Sequence, residues 1–316
     1  MTQLAANTAS QPRVFVLIPT HTTRHLRACV ASVAGLNPKP DGIVVTCDVI
    51  DDSISELLDT TWRECNTHHG PLPKLVHTFR EHQGTPMLNQ VRNNGLRALD
   101  KAFSLHEDDM VVVLDGDTLL NTDAVAHYQS HAGNRVDLVI PFRVYLTESQ
   151  TKAIDADALV QHPADIIEPL VPATESNEYQ ILKTLQTKYA KHLWLREHHL
   201  SMLIKSHKPK IIGGHHGVRM SALRRVNGYD EQYTKYGFDD DDLCRRLYQL
   251  RPRIRAAVAI TDIIAMHLWH PTRAPEKATH APGWERFSRT DLPAFCEHGL
   301  TNPVDQPEPI VRIIGT

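Results

Sequence analysis

Four short apolar runs constrain the fold of this chain more than anything else in it. VFVLIP (14–19), GIVVTC (42–47), MVVVL (110–114) and DLVIPF (137–142) are rich in Val, Ile and Leu. Apolar runs of that length without polar alternation suit strands buried on both faces. Helical spacing fills the gaps between them. The segment 25–36 puts Leu26, Cys29, Val30 and Val33 on one face, and 87–103 reads as a second helix. Strand–helix–strand order with short links predicts an α/β protein whose mostly parallel sheet is covered by helices on both sides.

Composition narrows the class. A length of 316 residues allows one large or two modest domains, and 41% hydrophobic content is enough for a core. The formal net charge of -3 gives no global positive field of the kind that marks a nucleic-acid binder, although a local basic patch stays open. Cys29, Cys47, Cys65, Cys244 and Cys296 are widely spaced and form no CxxC pair. That pattern suits reduced thiols in a cytoplasmic protein, not a disulfide scaffold or a zinc ribbon. No apolar run reaches membrane-spanning length, and MTQLAANTASQPR lacks a signal-peptide core.

Residues 1–11 are expected to form a flexible tail, 12–142 a first half, and 143–300 a second half of the same compact domain, with 301–316 as a C-terminal tail. Within the second half, 143–210 is polar and reads as a helical insert. Leu182, Leu185, Tyr189 and Leu193 keep helical spacing there, and KSHKPK (205–210) reads as a surface loop.

Candidate chemistry sits at strand ends. MVVVL runs into Asp115-Gly116-Asp117, and ligands of open α/β sheets bind beyond the carboxyl ends of strands. Two carboxylates suit Mg²⁺ or Mn²⁺, with Gly116 allowing close approach to the backbone; a polar turn is the alternative. An EF-hand is excluded because the fifth, sixth and twelfth loop positions are Leu119, Leu120 and Ala126. Neither GxGxxG nor GxxxxGK occurs. Further on, the apolar run 256–269 ends in MHLWH and could deliver His267 to the same ion, which favours Mn²⁺ over Mg²⁺; a structural role is the alternative for such a pair of histidines. The run Asp239-Asp240-Asp241-Asp242 opens a helix marked by Leu243, Leu247 and Leu250. Four successive helical residues point around a full turn, so they cannot all face one ligand.

In this order, the DGD strand end, GGHHGVRMSALRRVNGYDEQYTKYGFDDDDLCRRLY and MHLWHP resemble inverting nucleotide-sugar glycosyltransferases of the GT-A fold. The first half is similar to family 2 and the second to the galactosyltransferase family 7, over roughly residues 13–272. The resemblance implies a Rossmann-like sheet and a DXD motif. Asp117 would bind Mn²⁺ or Mg²⁺, Asp115 would bind donor ribose or the metal, and His267, with His270 as the alternative, would be the downstream ligand. Asp240 would be the general base, Asp239 would bind acceptor hydroxyls, and Asp241 and Asp242 would cap the helix. Pro19, Thr20 and Asp48 would contact the nucleoside, with Cys47 standing where the family often has a first aspartate. Arg92 and Asn93 would lie near the diphosphate, or on a solvated helix face. Gly214 belongs to the glycine pair, and Tyr236 stands where the family has a Trp over the acceptor.

The implied activity moves a sugar from a UDP-sugar to an acceptor hydroxyl on a glycan, glycolipid, protein or modified nucleic acid. A sugar-1-phosphate nucleotidyltransferase and a non-catalytic carbohydrate-binding protein are the alternatives. The former normally has a Gly-rich loop after its first strand, and PTHTTRHL has none.

Overall fold

A computed structural model describes residues 12–211, 214–235, 237–271 and 277–315; the expected tail 1–11, Gly213 and Tyr236 lie outside these. The first half runs β1 (Val14–Pro19), α1 (Leu26–Ala34), β2 (Gly42–Cys47), α2 (Asp52–His69), β3 (Leu75–Phe79), α3 (Leu88–Phe103) and β4 (Met110–Leu114). Next come β5 (Thr118–Leu120), α4 (Ala124–Gly133), β6 (Leu138–Ile140) and β7 (Phe142–Tyr145). The helices α5 (Glu148–Lys152), α6 (Ala156–Gln161), α7 (Pro163–Ile167) and α8 (Asn177–Glu197) follow. The rest comprises β8 (His215–Arg219), α9 (Met220–Arg225), α10 (Asp239–Gln249), β9 (Ala256–Val258), β10 (Ile264–His267), α11 (Trp284–Ser288) and β11 (Ile310–Ile314).

The main sheet has eight strands in the order β11-β3-β2-β1-β4-β8-β6-β9. Its centre, β3-β2-β1-β4, is parallel, whereas β8 runs antiparallel to β4 and β6. Every residue of β1, β2 and β4 is buried, as their unbroken apolar character requires. A second sheet, β5-β10-β7, crosses from DGD to the downstream histidines, pairing Thr118 with His267.

Three local readings change. DLVIPF does not form one strand. Pro141 has no N–H to give a ladder, and the run splits there into β6 in the large sheet and β7 in the small one. The segment 301–316 is more than a tail, since β11 pairs antiparallel with β3 along the sheet edge. Finally, the acidic run does not cap its helix. Phe238 occupies the N-cap position in a left-handed conformation (φ 66°), and all four aspartates fall inside the first turn of α10.

Candidate active site

The carboxyl ends of β1, β2 and β4 bring Thr20, Asp48 and Asp115 to one edge of the parallel sheet. They open onto a cavity of about 870 Å³ whose lining includes Pro19, Thr20, Asp48, Asp115, Asp117 and His270. Gly116 is needed here for packing: a Cβ at that position would lie 2.9 Å from the Thr20 side chain. Its N–H donates to the Pro19 carbonyl, locking the DGD turn onto the end of β1.

Asp117 and His270 line this cavity, and His267 converges on them. One potential ligand atom from each lies within 4.8 Å of the others. His270 Nε2 is 3.0 Å and His267 Nε2 3.4 Å from Asp117 Oδ2. Burial opposes ionisation of Asp117, but the His267 hydrogen bond and the charges of His267, His270 and Arg143 hold its carboxyl below the usual range. Both histidines named in the sequence therefore reach Asp117. Asp115 falls outside this set of converging ligand atoms. Its carboxylate takes an ion pair from Arg143 at 3.3 Å and is pushed above the usual range, by burial and then by Asp117.

Behind Asp115 stands the acidic pair. Arg92, buried on α3, donates to Asp239 Oδ2 at 2.7 Å and Asp240 Oδ1 at 3.1 Å. The Gly214 N–H donates to the other oxygen of Asp240 at 3.1 Å. Burial and the neighbouring Asp240 raise Asp239; at Asp240 burial also opposes ionisation, but Arg92, His216, the Gly214 N–H and Arg143 together outweigh it, and the carboxyl is lowered. The raised group is thus Asp239, the neighbour of the residue expected to be the base.

The other two aspartates turn away. Asp242 is fully buried and holds Arg245 at 2.6 Å and Arg246 at 2.7 Å, and Arg246 also donates to the carbonyls of Val226 and Gly228. Asp241 pairs with Lys210 at 3.1 Å. Both roles are ion pairs that fix α10 in place, not capping.

Two expected contacts fall elsewhere. Arg92 is neither on a solvated face nor among the cavity-lining residues; its charge is spent on the acidic pair. Asn93 is fully buried, and its amide is used by Tyr229 and Glu231, so it does not face a ligand. His215 and His216, unassigned from sequence, are buried on β8. They bond Val113 and Tyr128, and Tyr229, respectively, and burial pushes them down to about 4 and about 3.

Sequence reasoning missed Arg143, His82 and Lys235. Arg143 orients Asp115 and donates to the Tyr145 hydroxyl at 2.8 Å. His82 pairs with Asp48 at 3.0 Å, and both line the cavity together with Lys235. Each is a lone residue in a loop or short strand, with no motif to mark it.

Residues 198–270 match the family described as the N-terminal domain of galactosyltransferase. No curated protein sequence matched the chain. Among solved structures, GalNAc-T7 with UDP, GalNAc and Mn²⁺ is similar at a TM-score of 0.50 and 13% identity, over 88% of this chain and 48% of that one. TarS from S. aureus, in complex with UDP-GlcNAc, gives 0.44 and 12% over 85% of this chain and 61% of its own. Glucosyl-3-phosphoglycerate synthase from Mycobacterium tuberculosis, with Mn²⁺, UDP and phosphoglyceric acid, gives 0.41 and 12% over 83% and 72%. The chain thus spans less than two thirds of the first two. By its mixed sheet, its element order and its likeness to GalNAc-T7, it has the GT-A fold of glycosyltransferases, with a galactosyltransferase-like segment at 198–270.

Proposed function

We propose that this protein is a metal-dependent inverting glycosyltransferase that moves a sugar from a nucleoside diphosphate sugar, a UDP-sugar in the first instance, to an acceptor hydroxyl. One observation carries the reading. A carboxylate–imidazole cluster suited to a divalent cation and a separate, half-buried aspartate pair flank the same strand end, the first at Asp117 and the second behind Asp115.

The donor set of one carboxylate oxygen and two imidazole nitrogens fits Mn²⁺ better than Mg²⁺. Asp117, His267 and His270 would hold the ion, which when bound neutralises charge on a leaving diphosphate. Thr20, Asp48 and His82 would face the nucleoside at the ends of β1 and β2. Asp240, kept ionised by Arg92 and the Gly214 N–H, would take the proton of the acceptor hydroxyl. The hydroxyl oxygen then bonds to the anomeric carbon as that carbon's bond to the diphosphate oxygen breaks. Attack from the face opposite the leaving group inverts the centre. Asp239, which holds a proton more readily, would hydrogen-bond the acceptor.

Donor turnover tests the proposal. Incubation with UDP-sugars, Mn²⁺ and a panel of hydroxyl acceptors should release UDP in step with a product of inverted anomeric configuration, read by NMR. Pyrophosphate release from UTP and a sugar 1-phosphate, in a parallel incubation, would instead assign a nucleotidyltransferase, and donor binding without turnover a carbohydrate-binding protein.

A further inference from the structure

The helical insert carries a surface that the transferase reading does not use. Between residues 179 and 211 there are seven lysines and arginines, at 183, 188, 191, 196, 205, 208 and 210, against a single acid, Glu197. The whole chain is net negative, so this charge is concentrated. Lys210 is paired with Asp241, and Arg196 donates to the carbonyls of Ser206 and Lys208. Among the described residues, no acidic group pairs with Lys183, Lys188, Lys191 or Lys205.

Helical geometry gathers the free charges. On α8, Lys183, Lys191 and Trp194 lie within about 80° of one another around the axis, since each residue advances about 100°, and His198 at the C-cap continues the strip. All four are exposed, and the Trp194 ring stacks on His198 at 4.1 Å. The strip runs straight into an apolar corner. Every residue from 197 to 203 is exposed, and Met202 and Leu203 stand 85% and 67% open beside Leu200. A corner of Leu and Met held out into water by a short 3₁₀ turn, 201–203, contributes little to the core. Lys205 follows two residues after Leu203.

We propose that this face docks on an anionic phospholipid surface. Unpaired lysines complement the lipid phosphates, Trp194 suits the headgroup layer, and Leu200, Met202 and Leu203 would enter the acyl boundary. A nucleic acid would satisfy the lysines but offers nothing to three neighbouring aliphatic side chains. The inference concerns attachment to the surface only and does not depend on the sugar-transfer reading.

The test is flotation of the full chain with vesicles of phosphatidylcholine alone or mixed with phosphatidylglycerol. The protein should float with the mixed vesicles and not with the neutral ones. The double variant Met202→Asp/Leu203→Asp and, separately, Lys183→Glu/Lys191→Glu should each weaken flotation by about tenfold or more. All four positions are exposed, so circular dichroism should remain that of the parent. Failure of the parent to float with anionic vesicles overturns the proposal. So does parent-like flotation of the Met202/Leu203 variant, which would leave charge alone at work. Tight binding of a single-stranded oligonucleotide that abolishes flotation and survives the Met202/Leu203 change would reassign the face to nucleic acid.

Discussion

Gly214 and the Asp115 carboxylate share one corner of the site, leaving no room for a side chain at position 214: a Cβ there would collide with both Asp115 oxygens. The same glycine adopts φ 57° and donates its N–H to Asp240. Its backbone thus meets the Asp115 carboxylate at the strand end of the first half and the Asp240 carboxylate on the acidic helix of the second.

Gly214→Ala should therefore damage both sides at once. The left-handed backbone alone costs a non-glycine residue about 1 kcal/mol or more, and Asp115 must move as well. We expect a lower melting temperature and at least a tenfold loss of transfer activity, with weaker donor binding by calorimetry. Parent-like donor affinity and turnover would show that the corner tolerates displacement.

Three of the four aspartates should each behave differently. Asp240→Asn should lower kcat by about a hundredfold or more, the scale of general-base catalysis, while Mn²⁺ and donor affinity stay close to the parent. Asp242→Asn should instead destabilise the protein by several kcal/mol, because it leaves two buried guanidiniums without their carboxylate; breaking such a pair costs about 3–5 kcal/mol. Asp241→Asn weakens pairs with a partly exposed Lys210 and, at 3.8 Å, His207, and should change little. Urea titration and steady-state kinetics on the three variants separate the roles, and an inactive Asp241→Asn protein with parent-like stability would shift the proposed register.

Removing metal tests the cluster around Asp117. Chelation should abolish activity, and Mn²⁺ should restore it better than Mg²⁺. His267→Ala and His270→Ala should each weaken Mn²⁺ binding, measured by electron paramagnetic resonance in the absence of donor. If either variant binds the ion as the parent does, that histidine is not a ligand.

Acid should destabilise the protein through histidines that burial keeps neutral. His77, His215 and His216 are held down to about 4, about 4 and about 3, whereas the unfolded chain titrates near 6.5. Below that value the unfolded state binds more protons, so stability is full above about pH 6.5 and falls as the pH drops towards 4. The raised carboxyls of Asp115 and Asp239 act in the opposite sense. The urea midpoint should thus be lower at pH 5 than at pH 7.5, and His216→Gln should flatten the change. A midpoint that rises on acidification would mean the carboxyls dominate.

What the sequence disclosed follows from how locally each feature is encoded. β1, β2 and β4 were legible because strands buried on both faces must be apolar throughout. β8 was not, because His215, His216 and Arg219 look polar although each is buried and bonded. The short strands β5 and β10 hide inside longer apolar text, yet their pairing is what carries His267 to Asp117. The acidic run announced a helix start, but its division of labour depended on partners far away in the chain: Arg92, Lys210 and Gly214. The pairing of Asp242 with Arg245 and Arg246, by contrast, follows i,i+3 and i,i+4 helical spacing and was readable in the sequence.

Arg92 has one more implication, for exchange of parts between related chains. Its guanidinium belongs to the first half and its two acidic partners to the second. A chimaera that receives residues 198–270 of this chain therefore inherits two half-buried carboxylates, and its host must offer a cation where Arg92 stands to balance them. The halves of this molecule are matched in charge as well as in shape, and that match limits which recombinants can survive.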